Sequence, residues 1–215
     1  MNENDNSQPV KIVLIGESGV GKTSIICQFV DQTFQSEQPS TIGGTFASKK
    51  VKCGNGKILR LEIWDTAGQE RYRSVAKMFY KDANAAILVY DITSKTSFEG
   101  LQNYWIPQVK NSSPENIILI IAANKVDLFE REQVDQANAK KYAKEMNASF
   151  VQTSAKDSSG INNLFLEIAK KYSGSNSVSI LEEKYDDDTE EYKQIRKESI
   201  QLSKEYTYQK KRRCC

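Results

Sequence analysis

Apolar runs at residues 10–15, 58–64, 85–90, 117–123 and 149–151 read as strands, and most are too uniformly apolar to leave one face for water. The sheet they form is therefore expected to be covered on both sides. Between them, residues 22–34, 94–110, 133–146 and 161–172 read as helices. Such strand–helix alternation makes a mainly parallel sheet. One stretch breaks the alternation: residues 45–52 and 57–64 flank Cys53-Gly54-Asn55-Gly56, and Asn-Gly between two strands signals a tight antiparallel hairpin. The expected fold is α/β in three layers, with a mostly parallel six-stranded sheet, one antiparallel edge strand and helices on both faces.

After residue 172 the chain turns to Ser, Gly and Asn and then to mixed charge, with Asp186-Asp187-Asp188 and a basic end at Lys210-Lys211-Arg212-Arg213. Residues 9–174 are expected to fold as one domain, with 1–8 a disordered N-terminus and 175–215 a flexible tail in which 190–205 forms at most a transient helix. A chain of 215 residues is too short for two ordinary domains with full cores. Thirty Lys and Arg against 28 Asp and Glu leave a net charge of +2, without the basic excess of a dedicated nucleic-acid binder. Residues 1–8 carry no basic and apolar secretory pattern, and the longest apolar run falls far below the roughly 20 residues that cross a bilayer. Four cysteines and no histidine exclude Cys/His zinc sites and every Ser-His or Cys-His nucleophile pair. Any catalysis must then work by positioning and electrostatics, and the cysteine usage fits a reducing cytosol.

Four motifs carry chemistry. Gly16-Glu17-Ser18-Gly19-Val20-Gly21-Lys22-Thr23 satisfies G-x-x-x-x-G-K-[ST] between an apolar strand and a helix, the context that pattern requires. Its glycines let backbone N–H groups wrap a phosphate chain; Lys22 brings charge to the β- and γ-phosphates, and the Thr23 hydroxyl can ligate Mg²⁺. Asp65-Thr66-Ala67-Gly68-Gln69-Glu70 follows a strand end, where Asp65 would hold Mg²⁺ through water, Gly68 would bring its N–H to the γ-phosphate and Gln69 would orient an attacking water. Asn124-Lys125-Val126-Asp127 follows the strongest apolar run. The Asp127 carboxylate can accept from guanine N1–H and its exocyclic amine, whereas adenine has an acceptor at N1 and no such amine. Ser154-Ala155-Lys156 would add a backbone N–H to guanine O6 and prop the loop.

With these motifs in this order, residues 9–174 resemble the Ras-like small GTPases, whose domain is a P-loop NTPase fold. Among them the chain looks like a Rab, through Ile42-Gly43-Gly44-Thr45-Phe46, Leu61-Glu62-Ile63-Trp64-Asp65, Arg71-Tyr72-Arg73-Ser74, Phe79-Tyr80-Lys81-Asp82-Ala83, Tyr90-Asp91-Ile92-Thr93 and the terminal Cys214-Cys215. Segments 71–78 and 85–93 look most like the endosomal Rabs. Gly43-Gly44 and Asp82 depart from the common pattern and bear on which effectors bind. The resemblance implies nucleotide contacts from Gly16, Ser18, Gly19, Val20, Gly21, Lys22, Thr23, Ser24, Phe34, Gln35, Thr41, Gly68, Asn124, Lys125, Asp127, Ser154, Ala155 and Lys156. Phe34 would pack on the guanine, and Thr41 would contact both Mg²⁺ and the γ-phosphate. Phe46, Trp64 and Phe79 would form an effector-reading surface, or else belong to the core.

The implied activity is Mg²⁺-dependent hydrolysis of GTP to GDP, with Gln69 catalytic, and slow without an activating protein because no arginine finger is evident in cis. Loss of the γ-phosphate would relax two switch segments near 35–46 and 66–80. Exchange factor, activating protein, GDP-dissociation inhibitor or escort protein and effectors are the implied partners of a protein expected to be monomeric. Cys214 and Cys215 could be free thiols or a vicinal disulfide, but their place behind four basic residues favours lipidation; the resemblance implies two prenyl groups and a place on the cytoplasmic face of endosomal membranes, with a cytosolic pool. Two other readings stay open: an ATP-using P-loop phosphotransferase, and a GTP-binding scaffold without useful hydrolysis.

Overall fold

The computed structural model describes residues 6–36, 44–66 and 80–181. Seven strands, β1 (Gln8–Ile15), β2 (Gly44–Cys53), β3 (Ile58–Thr66), β4 (Ala85–Asp91), β5 (Ile118–Asn124), β6 (Ser149–Thr153) and β7 (Val178–Ile180), form one sheet in the order β6-β5-β4-β1-β3-β2-β7. The β6-β5-β4-β1-β3 ladder is parallel throughout. β2 runs antiparallel to β3 through the hairpin that Asn-Gly signals, where Gly56 N donates to Cys53 O at 2.9 Å and Cys53 N to Lys57 O at 2.8 Å.

The reason the central strands lack a polar face is visible in how they divide their side chains. Val10, Ile12 and Leu14 of β1 face one core with α1 (Lys22–Val30) and α5 (Ile161–Ser173), whereas Val13 and Ile15 face the other with the helices that follow β4 and β5. In the first core Phe29 and Phe165 stack with ring centroids 3.9 Å apart. In the second, α2 (Lys95–Gly100), a π-helical turn (Leu101–Trp105) and α3 (Ile106–Ser112) run on from one another and bury Leu101, Trp105, Ile106 and Val109, joined by Ala139 and Ala143 of α4 (Gln136–Glu145). A 3₁₀ turn (Val126–Arg131) precedes α4.

Four details depart from the sequence reading. Gln8 is the first residue of β1, not part of a disordered arm: it pairs with Leu59, and its side-chain amide donates to the Tyr172 hydroxyl at 3.1 Å. α1 stops at Val30 rather than 34, because Gln32 takes a left-handed φ of 56° and Lys49 Nζ, reaching across from β2, caps the Phe29 carbonyl at 2.7 Å. The sheet has seven strands rather than six, and β2 lies inside it. The added strand, β7, falls beyond the boundary expected at 174 and pairs antiparallel with Val51, Lys52 and Cys53. The expected helix at 190–205 and the rest of the tail beyond 181 lie outside the described residues.

Candidate functional site

At one edge of the sheet each parallel strand gives way to glycine or to a polar residue. β1 gives way to Gly16, β3 ends on Asp65 and Thr66, β4 on Asp91, β5 on Asn124 and β6 on Thr153. Register brings these ends together: Leu14 is opposite Asp65, Asp91 opposite Asn124, and Asn124 opposite Thr153. In open α/β sheets this edge is where ligands bind, since the loops that leave it are free of the ladder while the strands hold them in place.

The loop of residues 16–21 runs from β1 into α1, and two contacts fix its path. Asn124 Nδ2 donates to Val20 O at 2.8 Å, while Asn124 Oδ1 accepts from Thr153 Oγ1 at 3.1 Å, so one buried amide ties the loop to the ends of β5 and β6. Gly21, at φ 95°, lies so close to that amide that a Cβ there would come within 2.4 Å of Asn124 Nδ2. Only glycine serves both the left-handed backbone and the contact. Glu17 accepts from Trp105 Nε1 at 3.0 Å, which fastens the loop to the π-helical turn. Sequence reasoning left Trp105 in an ordinary helix and gave it no part.

Lys22 is buried, and its ammonium donates to the carbonyls of Gly16 at 3.0 Å and Glu17 at 2.9 Å. Burial lowers its pKa from the usual lysine range, while the charges of Asp65 and Glu17 act to raise it. Beside it, Thr23 Oγ1 donates to Asp65 Oδ2 at 2.5 Å, and Asp65 is fully buried. A hydroxyl and a carboxylate held together next to a phosphate-type loop are the hard oxygen donors that Mg²⁺ takes, so this pair fits the ion. Ser24 continues α1 half-buried.

Across the edge, Lys125 adopts a left-handed φ of 67° and sends its ammonium to Asp91 Oδ2 at 2.7 Å. The fully buried Ser154 donates its hydroxyl to Asp127 Oδ1 at 2.6 Å and also accepts from Asp157 N at 3.3 Å, so the Asp127 carboxylate is aimed by the neighbouring loop. Ala155 is buried and Lys156 exposed in that loop. The structure thus brings Lys22, Thr23, Asp65, Asn124, Lys125, Asp127 and Ser154 to one edge. Phe34 and Gln35 lie past the end of α1, with Phe34 40 % exposed. Phe46 is 4 % exposed and meets the half-buried Trp64 edge-on, ring centroids 5.1 Å apart, so Trp64 presents what surface the pair has. Thr41, Gly68, Gln69, Phe79, Cys214 and Cys215 lie outside the described residues.

Asp91 is the second residue that the sequence reading left without a role, although its signal was there: it ends an apolar run as Asp65 does. Ser18, Gly19 and Val20 share an open polar hollow with Glu17, Asp91 and the hydroxyl residues Ser94, Thr96 and Ser97.

Residues 11–173 match the Ras family. The chain is 46 % identical over 171 residues to Ras-related protein Rab-5A of Dictyostelium discoideum, covering 80 % of this chain and 84 % of the relative. It is 46 % identical over 162 residues to GTP-binding protein ypt5 of Schizosaccharomyces pombe, covering 75 % and 76 %, and 44 % identical over 162 residues to human Ras-related protein Rab-22A, covering 75 % and 82 %.

Proposed function

Because the chain belongs to the Ras family as a Rab small GTPase, a GTP hydrolase and switch of vesicle trafficking, we propose that guanine nucleotide binds along the sheet edge just described and that its γ-phosphate governs which partners the protein engages at a membrane. The observation that carries this reading is the arrangement around Asn124: one amide joins the phosphate loop to the turn that presents Asp127, so a ligand holding phosphates at one end and guanine at the other finds both halves in fixed relation.

In this reading Gly16 to Thr23 cradle the phosphates, and Lys22, held by the Gly16 and Glu17 carbonyls, directs its ammonium to phosphate oxygens. Thr23 and Asp65, with Thr41, hold Mg²⁺, which when bound neutralises charge on the β- and γ-oxygens. Gln69 orients a water in line with the γ-phosphorus; the water oxygen bonds to phosphorus as the bond to the β-phosphate oxygen breaks, giving GDP and phosphate. The Gly68 N–H stabilises the γ-oxygens. Turnover is slow alone, and an activating protein that supplies the missing cation accelerates it by about 10⁵-fold in Ras-type enzymes. Asp127 reads the base, with the Ala155 amide on O6 and Phe34 against its face.

The switch segments near 35–46 and 66–80 respond to the γ-phosphate, and effectors read them beside Trp64 and Phe79. Exchange factor and GDP-dissociation inhibitor complete the cycle of a monomer. Among the described residues no helix is long and apolar enough to cross a membrane. Prenylation of Cys214 and Cys215, backed by Lys210 to Arg213, supplies the anchor, and the likeness of residues 85–93 to endosomal Rabs supports an endosomal address. The reading is tested by competition: with bound fluorescent GDP, unlabelled GTP should displace the label at near-stoichiometric concentration and ATP should not. Equal displacement by ATP would turn the site into that of a general P-loop phosphotransferase.

A further inference from the structure

Asp91 is 8 % exposed and committed on both carboxylate oxygens: Oδ2 pairs with Lys125 Nζ at 2.7 Å, while Oδ1 accepts from Thr93 N at 2.8 Å and Thr93 Oγ1 at 2.7 Å. Its backbone is equally constrained. Asp91 N donates to Ser97 Oγ at 3.1 Å, and Ile92 N donates to Asn124 O at 3.1 Å. The carboxylate therefore has one orientation, set by the first turn of α2 and by β5, before it meets the lysine.

Lys125 is the less determined partner. It follows Asn124 at a left-handed φ of 67°, a conformation that a side-chain-bearing residue rarely adopts, and a lysine stem has four rotatable bonds to direct. With a fixed acceptor the ammonium is drawn to one place, and the stem that carries it is confined with it. An exposed ion pair between two wandering side chains contributes little. Here the side chains are 34 % and 11 % exposed, and one of them is also held by two hydrogen bonds from Thr93.

We propose that Asp91 is a positioning residue for nucleotide retention: by holding the Lys125 ammonium it fixes the lysine stem against the face of the bound base and so slows release of guanine nucleotide, without itself reading the base. This rests on the reading that Asn124 to Asp127 bind guanine. Because a lysine stem touches the ring and not its 2-amino group, the effect falls equally on nucleotides with and without that group.

The test uses the full chain loaded with fluorescent GDP or IDP and chased with excess unlabelled nucleotide in Mg²⁺. Asp91→Asn keeps the shape and the acceptor for Thr93 but removes the charge; release should quicken about threefold to tenfold for both nucleotides by the same factor. Thr93→Val, which loosens the carboxylate and leaves the ion pair, should give a smaller rise of the same sign, and it carries the test should the first variant not fold. In a Lys125→Met background Asp91→Asn should add nothing. Unchanged release in both variants, or the same increase with Met at 125, overturns the proposal. An Asp127→Asn control separates the premise from the inference: if that variant keeps its GTP affinity the base site itself is misplaced and this inference falls with it, whereas loss of GTP there with unchanged release in Asp91→Asn defeats the inference alone.

Discussion

Thr23 and Asp65 come from different elements and touch at 2.5 Å. The donor pair proposed for Mg²⁺ is thus set by the start of α1 and the end of β3. Replacing Thr23 by Asn removes the hydroxyl and puts a bulkier amide against the buried carboxylate. GTP depends more than GDP on counter-charge, having one more phosphate to neutralise, so titrations in Mg²⁺ should show its affinity falling about tenfold or more beyond that of GDP. Equal loss of both would remove Thr23 from the metal site. At this scale the sequence displayed the motif residues plainly, because G-x-x-x-x-G-K-[ST] and Asn124-Lys125-Val126-Asp127 are contiguous. What it hid were contacts between distant residues: Glu17 to Trp105, 88 positions apart, and Lys125 to Asp91. Each needs a side-chain direction that no local pattern specifies.

Elements were legible where both faces of a strand are buried or where a turn has its own chemistry. β4 reads Ala-Ala-Ile-Leu-Val-Tyr because α1 and α5 cover one side and the helices after β4 the other. The hairpin was readable from Asn55-Gly56. β7 was not, since its three residues sit in a Ser- and Asn-rich stretch and gain their strand geometry from β2 alone. The end of α1 was missed for a similar reason: the cap on Phe29 O is a lysine from another element. β7 also closes part of an edge that would otherwise offer unpaired backbone groups. Gly54 N donates to Ser177 O at 2.7 Å and Leu181 N to Lys50 O at 3.1 Å, and the half-buried Val178 and Ile180 pack on the α1–α5 core. Truncation after residue 181 should leave urea stability unchanged, whereas truncation after 174 should lower it by about 1 kcal/mol, the backbone bonds being partly offset by the ordering of a short strand. Identical denaturation midpoints for the two truncations would mean that β7 holds nothing.

For the whole molecule, the proposed anchor and the nucleotide edge are separated by charged chain, so address and chemistry should vary independently. A single acyl chain binds a bilayer only marginally, with K near 10⁴ M⁻¹, and two hold stably. Replacing Cys214 and Cys215 by Ser should therefore move the protein from the membrane pellet to the supernatant while GTP hydrolysis in vitro stays the same; a double-serine chain that still pellets would require another anchor. Everything said of switching, partners and membranes depends on the protein choosing guanine. The choice is placed on the Asp127 carboxylate, which Ser154 aims with a 2.6 Å bond. Guanine offers two donors to that carboxylate; xanthine offers one donor and one acceptor, which an amide matches and a carboxylate does not. Parallel titrations of GTP and XTP against the natural chain and Asp127→Asn should show GTP affinity falling at least about a hundredfold in the variant, from two charge-assisted hydrogen bonds lost, while XTP binding rises. GTP bound equally well by both proteins, with XTP unaffected, would contradict the account at its foundation.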